Sequence, residues 1–203
     1  VSSLAGITID EIPWKEWMKA EKPRLDPIAS ILPHDQHAII FPSYESMLEV
    51  MDEATTRATP LLRLSEERAE SARSQEKYSQ QLCLPVDELS RILGPKLISS
   101  VAITGSDPFI RTGTSLAVIF EAKQKQALIA ALSVRRMEAK KKYKGANPVS
   151  GIIPQSQKSN YFGLTTKDRM IRTFVSSFDN FVVVTNSMDQ LIRIALVFEQ
   201  KKQ

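Results

Sequence analysis

The feature that most constrains this chain is a ribbon near its end. From Arg169 to Phe178 the residues alternate, with Met170, Arg172, Phe174, Ser176 and Phe178 on one face and Ile171, Thr173, Val175 and Ser177 on the other. Asp179-Asn180 interrupts the run, and both residue types tolerate the positive φ of a two-residue turn. Phe181 to Thr185 then returns as a strand. Asn186 or Ser187 can cap a helix carrying Met188, Leu191, Ile194, Ala195 and Phe198 on one side. A hairpin of this kind forces antiparallel pairing, and a helix that follows it can cover the sheet.

The same plan occurs earlier. Leu97 to Thr104 reads as a strand, Gly105-Ser106-Asp107-Pro108 as a turn and Ser115 to Glu121 as the partner strand. A helix from Gln124 to about Tyr143 follows, with Ala127, Leu128, Ala131 and Leu132 on its apolar side. Before these come the strand Ala38 to Phe41, closed by Pro42, and a helix from Tyr44 to Ala58 with Ser43 as N-cap and Pro60 as terminator. A very polar helical stretch spans 65–82. A short helix opens at Pro85, turns Leu89, Ile92 and Leu93 inward and stops at Gly94-Pro95.

The expectation is an α+β fold, a two-layer sandwich with a mainly antiparallel sheet of about five strands in repeated hairpin-helix units. Residues 1–33, interrupted by Pro13, Pro23, Pro27 and Pro33, read as an N-terminal arm, and 34–203 as the domain. Within it, 65–82 is a polar helical insertion and 144–160 a flexible loop rich in Gly, Pro, Ser and Gln. Trp14 and Trp17 share a face if their turn is helical, and either pack on the chain's own core or meet a partner.

Much chemistry is missing. The 203 residues contain neither a P-loop nor a G-x-G-x-x-G turn, no G-x-S-x-G elbow, one cysteine and two histidines. A disulfide framework and a Cys-rich zinc site are excluded, and no apolar run reaches the roughly 18 residues that span a bilayer. Cys83, between Leu82 and Leu84, reads as a small buried hydrophobe. So little cysteine suits a reducing cytosol or an envelope protein without disulfides. A chain that begins at Val1 with no leader reads as a piece of something longer.

Two candidate sites remain. His34, Asp35 and His37 could meet a metal if their segment coils, or serve a hydrolase-like site with Asp107; if His37 opens a strand, the imidazoles diverge. The second is charge. The chain is +4, yet residues 121–144 hold eight basic side chains against two acidic ones, while 45–76 holds eight acids and four arginines. Arg135, Arg136, Lys140, Lys141 and Lys142 at the end of a helix suit its dipole and could bind an acidic partner or the chain's own acidic helices. Aromatic interleaving, which single-strand nucleic-acid binders use, is lacking there.

Several strings taken in order carry a resemblance: Leu32-Pro33-x-Asp35; Tyr78-x-x-Gln81-Leu82; Ser100 to Phe109 with Arg111-Thr112-Gly113-Thr114; and Val182 to Ser187 running into Gln190-Leu191. Over about residues 32–197 the chain resembles an uncharacterised family of large envelope-associated proteins of planctomycete-type bacteria. The resemblance implies a segment of a longer, exported protein in the envelope or periplasm, and carries over no catalytic residue. The functional expectation is a non-enzymatic binding or assembly module with no cofactor. It would engage a protein partner, the rest of its parent chain or another copy of itself, with nucleic acid disfavoured. The alternative is a metal-dependent or hydrolase-like domain using His34, Asp35 and His37.

Overall fold

The computed structural model describes residues 13–17, 19, 25–58, 73–107, 114–156 and 159–201. Pro60, residues 65–72 of the expected polar helix and the turn residues 108–113 lie outside them. Seven strands form one sheet: β1 (His37–Phe41), β2 (Ile98–Gly105), β3 (Leu116–Ala122), β4 (Asn147–Ile152), β5 (Asn160–Thr165), β6 (Arg172–Phe178) and β7 (Phe181–Thr185). The spatial order is β1-β2-β3-β7-β6-β5-β4 and every neighbouring pair is antiparallel. The helices are α1 (Trp14–Trp17), α2 (Tyr44–Glu53), α3 (Ser74–Leu82), α4 (Glu88–Leu97), α5 (Lys125–Lys142) and α6 (Met188–Gln200). The α+β class and the antiparallel sheet therefore stand.

At the centre Val118 pairs with Val184 and Ile119 with Val183. Alternate residues of these strands feed two separate cores. Val118, Phe120, Val182 and Val184 join Met47, Leu48, Leu128 and Leu132 on one side. Ile119, Val183, Phe174 and Phe178 join Leu191, Ile194 and Ala195 on the other. Strands buried on both faces read as continuous apolar runs, which is why Phe181 to Val184 shows no alternation.

Helices thus cover both faces, and the expected two-layer arrangement becomes three layers. Helices α2 to α5 lie on one side, α6 and a 3-10 turn (Pro27–Ile31) on the other. Two hairpins are each followed by a helix, as the pattern implies. Because α5 and α6 leave to opposite faces, the two units are not copies of one packing.

Three boundaries move. Ile28 and Ile31 are fully buried in the second core, so the domain begins before residue 33. Their turn is fixed by Asp26, whose carboxylate accepts from the Ile28 amide at 2.9 Å and from the Ser100 hydroxyl at 3.0 Å. The expected loop 144–160 contains β4, paired in full register with β5 from Asn147↔Thr165 to Ile152↔Asn160. Helix α4 runs through Gly94-Pro95 to Leu97 instead of stopping there. Gly94 serves closeness: a Cβ there would stand 2.2 Å from the Tyr44 ring, so only glycine lets α4 seat against α2.

Local chemistry sets the helix ends. Ser43 caps α2 and Asp87 caps α4, each in a reciprocal box with a serine three residues on. Ser187, not Asn186, caps α6. Asn186 bridges loops instead. Its Oδ1 accepts from the Leu116 amide at 2.8 Å, while its Nδ2 donates to Gln81 Oε1 at 2.9 Å and to the Thr114 carbonyl at 3.0 Å.

Candidate functional site

Helices α2, α3, α4 and α5 do not close over the strands beneath them. They leave a cleft of about 1030 Å³ whose floor is Ile103, Leu116, Val118 and Phe120 and whose walls include Met47, Met51, Leu82 and Leu132. Its lining is mostly apolar, with Tyr44, Tyr78 and Phe120 beside the aliphatic side chains, and its size is that of a small-molecule or peptide-anchor site.

The cleft's edge is apolar too. Ile39, Val50, Leu89 and Val134 line it while remaining 60%, 54%, 53% and 47% exposed. Leu89 and Ile92 do not turn inward as helical spacing suggested. Leu89 and Leu93 line the cleft, and Ile92, 62% exposed, stands outside it. Exposed apolar residues scattered singly are ordinary surface; four ringing one opening are not.

Charged pairs frame the opening. Arg91 of α4 donates two bonds to Asp52 of α2, at 2.9 and 2.6 Å. Arg135 of α5 pairs with Asp87 at the head of α4, at 2.5 Å, and with Glu138 at 3.1 Å. Burial pushes the Asp87 carboxyl up, but hydrogen bonds from Ser90 and the Arg135 charge outweigh it and hold the group below the usual carboxylate range. The Arg91 hydrogen bonds likewise lower Asp52. The Tyr44 hydroxyl, against Gly94, is raised by burial. The frame is therefore tied helix to helix while most of the lining is apolar, an arrangement with room for an apolar guest; His37, Asp107, Arg135 and Glu138 also reach the lining.

Of the sequence candidates, His37, Asp107 and Arg135 reach the cleft, whereas His34, Asp35, Arg136 and Lys140 to Lys142 lie outside its lining. Asp35 is salt-bridged to Arg193 of α6 at 2.8 Å, and Gln36 exchanges two side-chain hydrogen bonds with buried Gln190 at 2.7 and 2.5 Å. The His34-Asp35-Gln36-His37 segment is thus fastened to α6 by its middle residues. Among the described residues no group of three or more His, Cys, Asp or Glu is arranged to hold an ion, so the structure adds no support to the metal reading of His34, Asp35 and His37. His37 opens β1 opposite Gly105, and it and Asp107 both reach the end of the cleft. Ser106, the nearest hydroxyl in sequence, faces Thr114 Oγ1 at 3.3 Å.

The basic cluster divides. Arg135 belongs to the frame. Arg136 lies over the Phe162 ring at 3.9 Å and donates to Ser133 Oγ at 3.1 Å, so both arginines are engaged within the domain. Lys140, Lys141 and Lys142 point outward in the last turn of α5. Cys83 is buried as expected. Burial pushes its thiol up to about 11, with Arg136 acting weakly in the other direction.

The cleft itself was not foreseen. Its sequence signal is the surplus of apolar residues in α2 and α4 beyond what one stripe needs, Val50 and Leu89 among them. No described helix is long and apolar enough to cross a membrane. Compared with known proteins, the chain matches no family model, no curated protein and no solved structure.

Proposed function

We propose that this chain is a non-enzymatic binding module of a larger bacterial protein, which takes an apolar guest into the cleft between α2–α5 and the sheet. The observation that carries this is the opening itself: a mostly apolar hollow with an aliphatic lip, held by ion pairs. Burying a guest there removes from water apolar surface that the fold leaves uncovered, at about 25 cal/mol per Å². Specificity would come from shape, and from the outward lysines 140–142, which favour a guest or parent-chain segment carrying acidic residues beyond its apolar part. The resemblance to envelope-associated proteins supports an envelope location and an assembly role.

The test uses an apolar fluorescent dye, 8-anilinonaphthalene sulfonate, with the folded chain. We expect blue-shifted, saturable fluorescence. Ala131→Trp, which fills the cleft from α5, should abolish it while leaving the circular dichroism spectrum unchanged. Absence of enhancement, or equal enhancement with the filled variant, would overturn the reading.

A further inference from the structure

The cleft is not the sole apolar feature left open. Among the described residues strand β1 forms one margin of the sheet, and its ladder runs to β2 alone. Its residues, His37-Ala38-Ile39-Ile40-Phe41, include neither a charge nor a proline, and all but Phe41 are exposed. Exposure falls on both faces at once. Ile39 pairs with Ile103 and looks toward the cleft side, whereas Ile40 pairs with Ala102 and looks toward the opposite core; they are 60% and 37% exposed. A guest in the cleft reaches Ile39 only. Covering both requires a neighbour that arrives edge-on.

The other margin is guarded. Strand β4 carries Pro148, which has no amide to offer a further strand, and Gly151. Natural sheets blunt their margins with such residues or with charges, and β1 has neither.

We infer that β1 is a self-association edge, on which β1 of a second copy adds antiparallel to make one fourteen-stranded sheet. The sequence complements itself in that register. With Ile39 opposite its symmetry mate, Ala38 stands across from Ile40 and His37 across from Phe41, so no like-charged pair arises in the new ladder. The two-fold axis would be perpendicular to the sheet, because antiparallel neighbours keep the same faces. The pairing is therefore isologous and closed, and it would set both clefts on one face. Backbone hydrogen bonds would supply the affinity, and the two isoleucines of each copy would lose their exposed surface together. The edge shares His37, Ala38 and Ile39 with the cleft's lining, while Ile40 and the outward backbone groups belong to the edge alone. A five-residue contact is small for an interface, so the association would be of moderate strength, on the order of tens of micromolar.

Sedimentation equilibrium of the whole chain, from about 1 μM to about 1 mM, tests it. The weight-average mass of the wild type should climb from the 22.8 kDa monomer toward twice that value. Ile39→Lys, a change at an exposed position that places a charge on the edge, should remain monomeric across the range with an unchanged circular dichroism spectrum. Ile152→Lys, its counterpart on β4, should associate as the wild type does. A wild type that stays monomeric throughout, a dimer that survives Ile39→Lys, or one lost with Ile152→Lys would each overturn the assignment. Dye binding in the cleft reads the other proposal separately, so failure of one leaves the other standing.

Discussion

The two faces of one sheet are built from alternate residues of the same strands, yet they end in different states. On the face beneath α6, a single helix and a 3-10 turn suffice. Ile28, Ile31, Ile119, Val183, Leu191 and Ile194 are all essentially without solvent. The opposite face has four helices and is still open, with apolar side chains around a hollow. More cover does not mean a better seal. α6 packs on β3, β6 and β7 with a strongly amphipathic stripe, whereas α2 and α4 pack on β2 and α5 on β5 and β7, with ion pairs near solvent joining them and the cleft left between them. Both faces carry a buried core, but only the second leaves a hollow, the one that the proposed function fills.

The strongest way to break this comparison is a matched pair of truncations. Ile194→Ala on the sealed face should cost about 2–5 kcal/mol in urea unfolding, the range for emptying a packed site. Ile92→Ala on the open face should stay within about 0.5 kcal/mol, as at ordinary surface. Equal losses would mean that the two faces do not differ in packing.

Next in size is Gly94→Ala. Its Cβ would sit 2.2 Å from the Tyr44 ring, so α4 must back away from α2. Thermal unfolding should report a loss of about 1–3 kcal/mol, and dye binding in the cleft should change with it. A neutral outcome on both would show that the ring moves and the frame is loose.

A smaller effect is expected at Asp87, which both caps α4 and pairs with Arg135. Asp87→Ala should cost about 1 kcal/mol for the cap, measured by urea unfolding. Its carboxyl lies lower in the folded chain than in the unfolded one, so its contribution is complete above the unfolded pKa. It is lost as pH falls through the folded value. Acid titration of the wild type should therefore show a loss below about pH 4 that the alanine variant lacks.

The subtlest readout is Cys83. A thiol titrating near 11 should react slowly with iodoacetamide at pH 8 and speed up only on unfolding. Because the folded thiol holds its proton longer than the unfolded one, stability should decline as pH rises from about 9 toward 11. Cys83→Ala should flatten that decline. Rapid labelling of the native chain at pH 8 would show that the end of α3 is open to solvent.

Legibility in the sequence followed the range of the interactions. The β6–β7 hairpin was plain because its alternation, its Asp179-Asn180 turn and its capped helix are all local; Asp179 indeed adopts φ 49°. Strands β4 and β5 were missed because Pro148, Gly151 and Gly163 break up Asn-Pro-Val-Ser-Gly-Ile and Asn-Tyr-Phe-Gly-Leu-Thr, whose order comes from pairing with each other and with β6. The side on which α6 lands was equally hidden. Its stripe says that it must be covered, not which face will do so. The tie of the histidine segment to α6 was hidden for a related reason. Gln36 and Gln190 lie 154 residues apart, and nothing local marks their reciprocal bonds. The cleft is a gap between helices, a product of their spacing, and single-helix patterns carry no record of it.

Strand β7 sits between β3 and β6, in the middle of the sheet, although it is the last strand to be synthesised. Until Phe181–Thr185 leaves the ribosome, β3 has no neighbour on its inner side and the cover that α6 brings has not yet been made. The nascent chain must carry two unjoined half-sheets with bare valines and isoleucines, and β7 then acts as the keystone that locks them.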